Sequence, residues 1–494
     1  MTAAPEHVDV LIVGAGLSGI GAACQLREHL PTKSVAVLEA RGASGGTWDL
    51  FRYPGVRSDS DMFTFGFSWR PWPGDLALAD GASILSYLRT VAEEYGVDEL
   101  IRYRHKVVRA SWDSDTALWT VEVDAAGAPV TITASFLWGC AGYYDYDEPY
   151  APEFPGAETF EGTIVHPQHW PDDLDYAGKR VVVIGSGATA VTLVPAMAGT
   201  AGHVTMLQRS PTYVASRPAV DKLATRLNRL SPRLAYPVVR WSHILYGMAT
   251  FELSRRRPEL VKSVVRKGAK AQLPDDIDVD VHFKPRYNPW DQRFCVVPDG
   301  DLFRVLRKGQ ASIVTDTVET FTPTGLRLTS GAELEAYIIV TATGFQVLAF
   351  GGIDLVVDRR SVAVGRTMAY KAMMLSGVPN FAFTIGYTNA SWTLKADLIS
   401  AYVVRLLRHL DANGLRWAVP LRQRDVEPEP LLDFTSGYVQ RALDRLPKQG
   451  SREPWRLRQN YIVDLRSIKR GPIDDGVLAF DTVPTSSDTT LTTV

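Results

Sequence analysis

Residues 8–19, VDVLIVGAGLSG, decide the fold expected for the first part of the chain. The run VDVLIV is short, apolar and β-branched, which predicts a buried strand, and the residues after the motif are compatible with a helix. Between them stand Gly14, Gly16 and Gly19 in GxGxxG spacing. A strand, a tight glycine turn and a helix bring free backbone N–H groups and a helix dipole to one point, which favours a pyrophosphate. The stretch therefore predicts a dinucleotide-binding fold.

An acidic residue follows this motif at a suitable distance. The run SVAVLEA (34–40) predicts a second strand that ends at Glu39, 20 residues after Gly19. A carboxylate there can accept hydrogen bonds from the 2′- and 3′-hydroxyls of a ribose. The combination favours a dinucleotide site, with a purely structural glycine turn as the alternative.

The same pattern returns in KRVVVIGSGATAV (179–191), which places Gly185, Gly187 and Ala190 in GxGxxA spacing. The next predicted strand, HVTMLQRS, ends at Arg209 and Ser210. An acid at this position would repel a 2′-phosphate, whereas an arginine binds one. The alternative is that Arg209 is a solvated surface residue.

Two such units with opposite ribose selectors predict two different dinucleotides. FAD on the first and NADPH on the second is the simplest assignment, because nicotinamide can reduce flavin by hydride transfer. The predicted fold class is α/β, with two Rossmann-like dinucleotide-binding domains (FAD and NADPH) and a helical insertion subdomain.

Composition limits the function classes. At about 150 residues per domain, 494 residues predict about three domains. An apolar fraction of 46% and a charged fraction of 22% exclude a disordered chain, and a net charge of −2 gives no overall attraction to nucleic acid or membranes. We expect no nucleic-acid partner, and the oligomeric state stays open.

The three cysteines are far apart and lack CxxC spacing, which argues against a disulfide scaffold, a metal site and a dithiol relay. The sequence contains neither a secretory leader nor a run of about 20 apolar residues, so we expect no transmembrane segment and a cytoplasmic location.

Residues 217–270 carry 13 Lys or Arg against 3 acids and have helical periodicity. A helical subdomain with solvated basic faces is the favoured interpretation. A peripheral membrane or nucleic-acid patch around Arg255, Arg256 and Arg257 is the alternative.

These observations predict five segments. They are residues 1–145 (FAD domain, first part), 146–212 (NADPH domain, first part), 213–286 (helical insertion), 287–344 (NADPH domain, second part) and 345–494 (FAD domain, second part).

Aromatic residues alternate with period two at Phe63, Phe65, Phe67 and Trp69. The alternation is typical of a buried strand in the core, and a lining for an apolar pocket beside the flavin is an equal alternative.

Two further motifs carry a family resemblance. GGTWDLFRYPGVRSD (45–59) resembles the GGxWxxxxYPGxxxD fingerprint of type I Baeyer–Villiger monooxygenases, and FEGTIVHPQHWP (160–171) resembles their FxGxxxHxxxWP fingerprint. The second motif lies between the two glycine motifs, as in that family. Similar stretches cover nearly the whole chain.

The resemblance implies an NADPH- and O2-dependent monooxygenase. In this family a flavin C4a-peroxide converts ketones to esters or lactones and oxidises sulfides or thioamides to S-oxides. Arg293, in YNPWDQR (287–293), matches the active-site arginine, and Asp59 matches the carboxylate that holds it. Many members have a lysine where this chain has Gln292, which leaves the strictness of NADPH over NADH open.

The motifs and the resemblance together imply the cofactor contacts. Those for FAD are Gly14, Gly16, Ser18, Gly19, Glu39, Gly46, Thr47, Trp48, Asp49, Leu50, Asp59 and the Val107 backbone. Those for NADPH are Arg57, Ser58, Asp59, Gly185, Ser186, Gly187, Ala188, Thr189, Ala190, Val191, Arg209 and Ser210. His166 is expected to pack in a linker rather than to act on substrate.

Other functions remain open. A flavin-dependent S- or N-oxygenase without ketone activity would share both glycine motifs. A flavin disulfide reductase would need two cysteines near the flavin, which the spacing does not offer. A redox-sensing or interaction protein would use the basic insertion.

Overall fold

The computed structural model describes residues 5–292, 294–432 and 435–481, with the backbone alone at positions 232 and 233. Arg293, the predicted catalytic arginine, lies outside the described residues.

The described residues form thirteen α-helices and twenty-seven strands. The helices are α1 Leu17–His29, α2 Thr47–Leu50, α3 Met62–Phe65, α4 Gly81–Glu94, α5 Ala188–Met197, α6 Lys222–Leu230, α7 Pro232–Arg256, α8 Pro258–Lys270, α9 Val279–His282, α10 Asp301–Arg307, α11 Trp392–Asn413, α12 Gly437–Gln440 and α13 Tyr461–Asp464. The strands are β1 Glu6–Val13, β2 Val35–Glu39, β3 Ile101–Tyr103, β4 His105–Asp113, β5 Leu118–Ala125, β6 Ala128–Gly139, β7 Tyr144–Pro149, β8 Thr163–Val165, β9 Arg180–Ile184, β10 His203–Gln208, β11 Tyr213–Arg217, β12 Phe294–Pro298, β13 Ala311–Thr315, β14 Val318–Thr322, β15 Gly325–Leu328, β16 Glu333–Glu335, β17 Ile338–Thr341, β18 Phe345–Val347, β19 Asp354–Val357, β20 Arg360–Ser361, β21 Ala369–Tyr370, β22 Met374–Leu375, β23 Phe381–Phe383, β24 Ala418–Pro420, β25 Pro428–Pro430, β26 Lys448–Gly450 and β27 Leu478–Phe480.

The first sheet is built around β1, which pairs in parallel with β2 on one side and β6 on the other. A strand covered on both faces reads as a continuous apolar run, which explains VDVLIV. Val10 and Ile12 pack into one core and Leu11 and Val13 into the other, as the two-residue period of a strand requires. An antiparallel meander of β4, β5 and β6 extends this sheet.

The second sheet has the order β13-β10-β9-β17-β8, and its four pairings are all parallel. Its central strand β9 comes from the second glycine motif. Val181 and Val183 enter one core and Val182 another, so this strand too is buried on both faces. The predicted fold class, α/β with two Rossmann-like units, is confirmed.

A helical region stands between β11 and β12, which pair in parallel with each other. The four helices α6 to α9 all fall between these two strands. The first sheet takes strands from residues 6–139 and 354–383, and the second from residues 163–208 and 311–341. We keep the five-segment division as a proposal, which this distribution supports.

The period-two aromatic segment is not a strand. Asp61 caps a short helix, α3, by accepting a hydrogen bond from the Thr64 N–H at 2.9 Å. Phe63 and Phe67 are buried, whereas Phe65 also lines two cavities. A local capping interaction therefore overrides the alternation, so the predicted strand is wrong, although Phe63 and Phe67 do pack in the core. A role of Phe65 beside the flavin stays a prediction.

No helix in the described part of the chain is both long enough and apolar enough to cross a membrane.

Candidate active site

The two glycine motifs adopt the same kind of turn. Gly14 and Gly185 have φ of 104° and 148°, which favours glycine. Gly16 and Gly187 are extended caps, with φ of −83° and −79°, before α1 and α5. Each turn therefore directs the free N–H groups of a helix N-terminus toward one point.

Close packing also requires the first glycine of each motif. A Cβ on Gly14 would lie 2.7 Å from the Cys140 carbonyl oxygen, and one on Gly185 would lie 2.4 Å from the Ala342 carbonyl oxygen. Both carbonyls belong to the chain just beyond a neighbouring parallel strand. Side chains here would push the turn away from its sheet.

The first turn opens into a cavity of 640 Å³, called here the first cavity. Gly14, Gly16 and Gly46 line it. A Cβ on Gly46 would lie 3.0 Å from the Gly16 Cα, so two backbone segments meet at this wall with no side chain between them. Such a close backbone approach leaves room for a pyrophosphate beside the turn.

Glu39 lies at the end of β2 and lines the first cavity. Its Oε2 accepts from the Ala15 N–H at 2.8 Å and its Oε1 from the Arg41 N–H at 2.9 Å. Burial raises the pKa of Glu39, and the two backbone hydrogen bonds act in the opposite direction. The carboxylate is thus fixed by the chain, with acceptor capacity left for a ribose diol.

Other predicted FAD contacts fall into two groups. Ser18, Thr47, Trp48 and Val107 line the first cavity, where the Thr47 hydroxyl hydrogen-bonds the Tyr146 hydroxyl at 2.9 Å. Gly19 instead serves packing, since a Cβ there would lie 1.8 Å from the Gly14 carbonyl oxygen.

Asp49 and Leu50 make contacts within the protein itself. The two Asp49 oxygens accept from Arg41 and Arg89, both at 2.7 Å. Leu50 packs against the core that contains Val183. The loop therefore braces the cavity through these residues, and their contact with FAD stays a prediction.

A second cavity of 770 Å³, called here the cleft, lies beside the first. Six residues line both spaces, and five of them are aromatic: Thr47, Trp48, Phe65, Tyr143, Tyr144 and Trp392. The Trp392 ring stacks on Tyr143 with centroids 5.3 Å apart, and the Trp48 ring meets Phe65 edge-on at 5.6 Å. The two spaces therefore share an aromatic wall.

The cleft gathers residues from distant parts of the sequence. Arg57, Ser58 and Asp59 reach it from the first fingerprint, and Ala188 and Thr189 from the start of α5. The helical region adds apolar side chains. They include Leu253 of α7 and Leu260, Val261 and Val264 of α8.

Arg57 is tied to the second nucleotide unit. Its guanidinium pairs with Asp301 at 2.5 Å and also donates to the Val191 carbonyl at 3.5 Å. The predicted NADPH contact therefore also joins the fingerprint loop to α5 and α10. The sequence carries no signal for Asp301, because its pairing is made across 244 positions.

The second turn is fixed by its own hydroxyls. Ser186 donates to the Ser210 carbonyl at 3.1 Å and hydrogen-bonds the Thr212 hydroxyl at 2.9 Å. Ala190 and Val191 are buried within α5, so their part is packing. Arg209 is exposed directly after β10, the position that corresponds to Glu39 after β2.

The predicted catalytic pair is described in part. Asp59 is exposed and lines the cleft. Trp290 and Phe294, which stand on either side of Arg293 in sequence, also line it, and their rings stack 5.5 Å apart.

The second fingerprint has a structural place. His166 accepts from the Gln168 N–H at 3.1 Å, and the Gln168 side chain donates to the carbonyls of Asp145 and Tyr146. Burial lowers the pKa of His166 to about 4, so its ring is neutral at neutral pH. The motif therefore anchors the segment that connects the two sheets.

Sequence reasoning missed Arg41, Tyr146 and Trp392. Arg41 follows Glu39 by two positions and holds both Asp49 and, at 3.3 Å, the Gly46 carbonyl. Trp392 donates to the Ser18 hydroxyl at 2.9 Å. It stands in a stretch, GYTNASWTLKADL, that resembles the family but offers no local hint of this contact.

No cluster of three metal-binding side chains occurs among residues 5–292, 294–432 and 435–481. By contrast, the glycine turn, the fixed Glu39 carboxylate and the close approach of Gly16 and Gly46 fit a dinucleotide in the first cavity. The site is that of a two-nucleotide oxidoreductase, in which two binding turns serve adjoining spaces.

Comparison with known proteins gives the family. A family model described as flavin-binding monooxygenase-like matches residues 8–225. The chain is 56% identical to FAD-containing monooxygenase EthA of Mycobacterium tuberculosis over 96% of its own length and 98% of that protein. It is 48% identical to the probable FAD-binding monooxygenase AlmA of Acinetobacter baylyi, over 96% of each chain. The chain belongs to the family of FAD-containing monooxygenases.

Solved structures agree with this assignment. A steroid monooxygenase bound to NADP is 25% identical and superposes with a TM-score of 0.70, covering 84% of this chain and 88% of that one. Cyclohexanone monooxygenase, at 20% identity, shares the fold with a TM-score of 0.70 over 84% of this chain and 89% of that one. The resemblance to Baeyer–Villiger monooxygenases is thus confirmed.

Proposed function

We propose that the protein is an NADPH- and O2-dependent monooxygenase that converts ketones to esters or lactones and oxidises sulfides or thioamides to S-oxides. One observation carries the proposal: the space at the FAD-type turn and the cleft at the NADPH-type turn share one aromatic wall. Two cofactors that exchange a hydride have to meet, and the shared wall is where these two spaces adjoin.

FAD, when bound, supplies the redox chemistry by which one atom of dioxygen is transferred to the substrate. The protein holds it with the N–H groups of the turn at Gly14 and Gly16 and with the Glu39 carboxylate. The close contact of Gly16 with Gly46 fixes the loop over the pyrophosphate position.

NADPH binds at the second turn. The α5 N-terminus receives the pyrophosphate, and Arg209 selects the 2′-phosphate. The relative bound to NADP supports this assignment. The Arg57 and Asp301 pair positions the fingerprint loop against this unit.

The cleft favours apolar substrates. Leu253, Leu260 and Val264 from the helical region line the cleft together with the aromatic wall. An apolar lining binds the carbon skeleton of a ketone and excludes water from the reacting groups.

Arg293 is the proposed catalytic cation, with Asp59 orienting it. Negative charge develops on the carbonyl oxygen of a ketone as it is attacked, and a fixed guanidinium stabilises that charge. Support comes from the family resemblance and from Trp290 and Phe294, its cleft-lining neighbours.

The test uses Arg293→Ala, with Arg286→Ala as a matched control because Arg286 is an exposed arginine nearby. Ester formation from a ketone should fall by about 100-fold or more. Reduction of bound flavin by NADPH, followed by absorbance under nitrogen, should change little. Equal loss of both steps with FAD still bound would contradict the assigned role.

A parallel sulfide panel separates the ketone proposal from an S- or N-oxygenase. A product mass gain of one oxygen on sulfides but on no ketone would favour that alternative. A disulfide reductase is disfavoured, because Cys24 lies in α1, Cys140 follows β6 and Cys295 lies in β12, and burial raises the pKa of Cys140 to about 12.

A further inference from the structure

The helical region carries an apolar face that points away from the rest of the protein. The α6–α7 apolar face consists of Leu230, Leu234, Val238, Trp241 and Leu245. Their exposed fractions range from 41% to 83%. Isolated exposed apolar residues are ordinary, but four on one side of α7, with Leu230 at the end of α6 beside them in sequence, are not.

Helical geometry places the α7 members of this face on one side. At 100° per residue, positions 234, 238, 241 and 245 fall within about 60° of one another. Val239, Arg240 and His243 lie on the opposite side and are buried. A surface helix usually turns polar residues toward solvent, whereas this half of α7 turns apolar residues toward solvent.

The second half of α7 shows what an ordinary solvent side looks like. Glu252 and Arg256 continue the same side of the helix, and they form an ion pair at 2.5 Å. Arg255 likewise pairs with Asp291 at 2.5 Å. The arginine cluster at 255–257, where sequence analysis located the alternative patch, is thus partly neutralised, and the unusual surface lies nearer the N-terminus.

The apolar face is accompanied by positive charge. Residues 222–251 contain five Lys or Arg and no Asp or Glu. Lys222, Arg226 and Arg229 of α6 are exposed, and none forms an ion pair within the part of the chain that the structure describes. A helix with exposed leucine and tryptophan beside unpaired cations is typical of segments that lie on anionic bilayers.

A neighbouring segment extends the same surface. The Trp241 ring contacts Tyr461 at 6.0 Å, at the start of α13. The π-helical turn that follows, Leu465–Arg470, exposes Arg466, Lys469 and Arg470. The segment that contacts Trp241 therefore continues into a turn with three exposed cations.

The face is rigidly presented. Arg240 is buried and donates to the carbonyls of Phe63 and Gly66, both at 2.7 Å, while pairing with Asp397 at 3.4 Å. These bonds tie α7 to the first nucleotide unit. These contacts fix the orientation of α7, so the apolar face points outward in the folded protein.

We propose that the α6–α7 apolar face docks on an anionic lipid surface, with the leucine and tryptophan side chains entering the headgroup boundary and the cations of α6 and the 465–470 turn meeting lipid phosphates. A second copy of the chain fits less well. Symmetric pairing of this face would bring the same cations together, and like charges repel.

The test is sedimentation of the FAD-loaded protein with vesicles of phosphatidylcholine alone and of equal parts phosphatidylcholine and phosphatidylglycerol. We expect binding to the anionic vesicles that weakens as salt is raised. Leu234→Ser/Leu245→Ser and Arg226→Glu/Arg229→Glu should each weaken it by about tenfold or more. The matched control is Val130→Ser/Val281→Ser, which removes exposed valines elsewhere and should bind as the native protein does.

Three results would overturn the proposal. They are absence of binding by the native protein, equal binding by all variants, and self-association that the serine variant abolishes without any vesicle binding. The last would assign the face to a second copy. Bound FAD and the thermal transition of each variant verify folding, and the assay needs no turnover, so its outcome is independent of the proposed reaction.

Discussion

Replacing His243 with glutamine should destabilise the protein more at mildly acidic pH than at alkaline pH. His243 of α7 lies between two carboxylates, with Nδ1 3.3 Å from Asp61 and Nε2 2.8 Å from Asp221. Asp61 also caps α3, and Asp221 caps α6 through the Ala224 N–H at 2.7 Å. The three side chains therefore clamp the helical region to the segment that follows the first fingerprint.

The pKa directions give the sign. Burial lowers the pKa of His243, but the hydrogen bonds and charges of Asp61 and Asp221 outweigh it and raise the pKa above its usual value. Burial raises the pKa of Asp61, but the hydrogen bonds of His243 and Thr64 and the charge of His243 lower it by more. The pKa of Asp61 therefore lies below its usual value. The stabilisation that comes from a raised histidine pKa is fully present below about pH 6.5 and is lost as pH rises through the pKa of the folded state. The stabilisation that comes from a lowered aspartate pKa is present above about pH 4 and is lost as pH falls through the pKa of the folded state. The clamp is thus strongest between about pH 4 and 6.5.

The magnitude follows from burial. The side chains of His243, Asp61 and Asp221 are only 7%, 13% and 19% exposed. Breaking a buried charge pair costs about 3–5 kcal/mol, and glutamine retains part of the hydrogen bonding, so we expect a loss of about 2–4 kcal/mol near pH 5.5. Near pH 9 the loss should be clearly smaller, because His243 is then less protonated.

The assay is thermal unfolding by circular dichroism at both pH values, with His29→Gln as control because His29 is exposed. His243→Gln should lower Tm by several degrees at the acidic pH, and the gap should narrow at the alkaline pH. An equal gap at both values would refute the charged clamp, since it would mean that His243 contributes packing alone.

Two further predictions concern the nucleotide sites. Gly46→Ala should raise the Kd for FAD by about tenfold or more, because Gly46 has a φ of 56° and a Cβ there would lie 3.0 Å from the Gly16 Cα. The control Gly74→Ala, at a position with positive φ but open space, should leave the Kd unchanged. Equal retention of FAD by the two variants after dialysis would contradict this. Arg209→Ala should raise the KM for NADPH by about tenfold and leave the KM for NADH nearly unchanged. Gln292→Lys should lower the KM for NADPH. If either variant changed both KM values in parallel in steady-state oxidation, selection of the 2′-phosphate by that residue would be excluded.

Much of the fold was predictable because its signals are local. A glycine turn between an apolar run and a helix is determined by backbone conformation over about a dozen residues, so both nucleotide units and the positions of Glu39 and Arg209 follow from the chain itself. The aromatic segment shows the limit. Its period-two pattern suggested a strand, but the cap from Asp61 to Thr64 makes a helix of Met62–Phe65.

Short-range order in the chain is enough to predict two dinucleotide units, the places of Glu39 and Arg209 after their strands, and the family. Tertiary structure alone decided which distant groups meet: Gly46 with Gly16, Arg57 with Asp301, Trp392 with Ser18, and His243 with two aspartates. It also decided that α7 turns leucines and a tryptophan outward. Helical periodicity shows which residues share a side, but only packing against the remaining chain determines which side is buried.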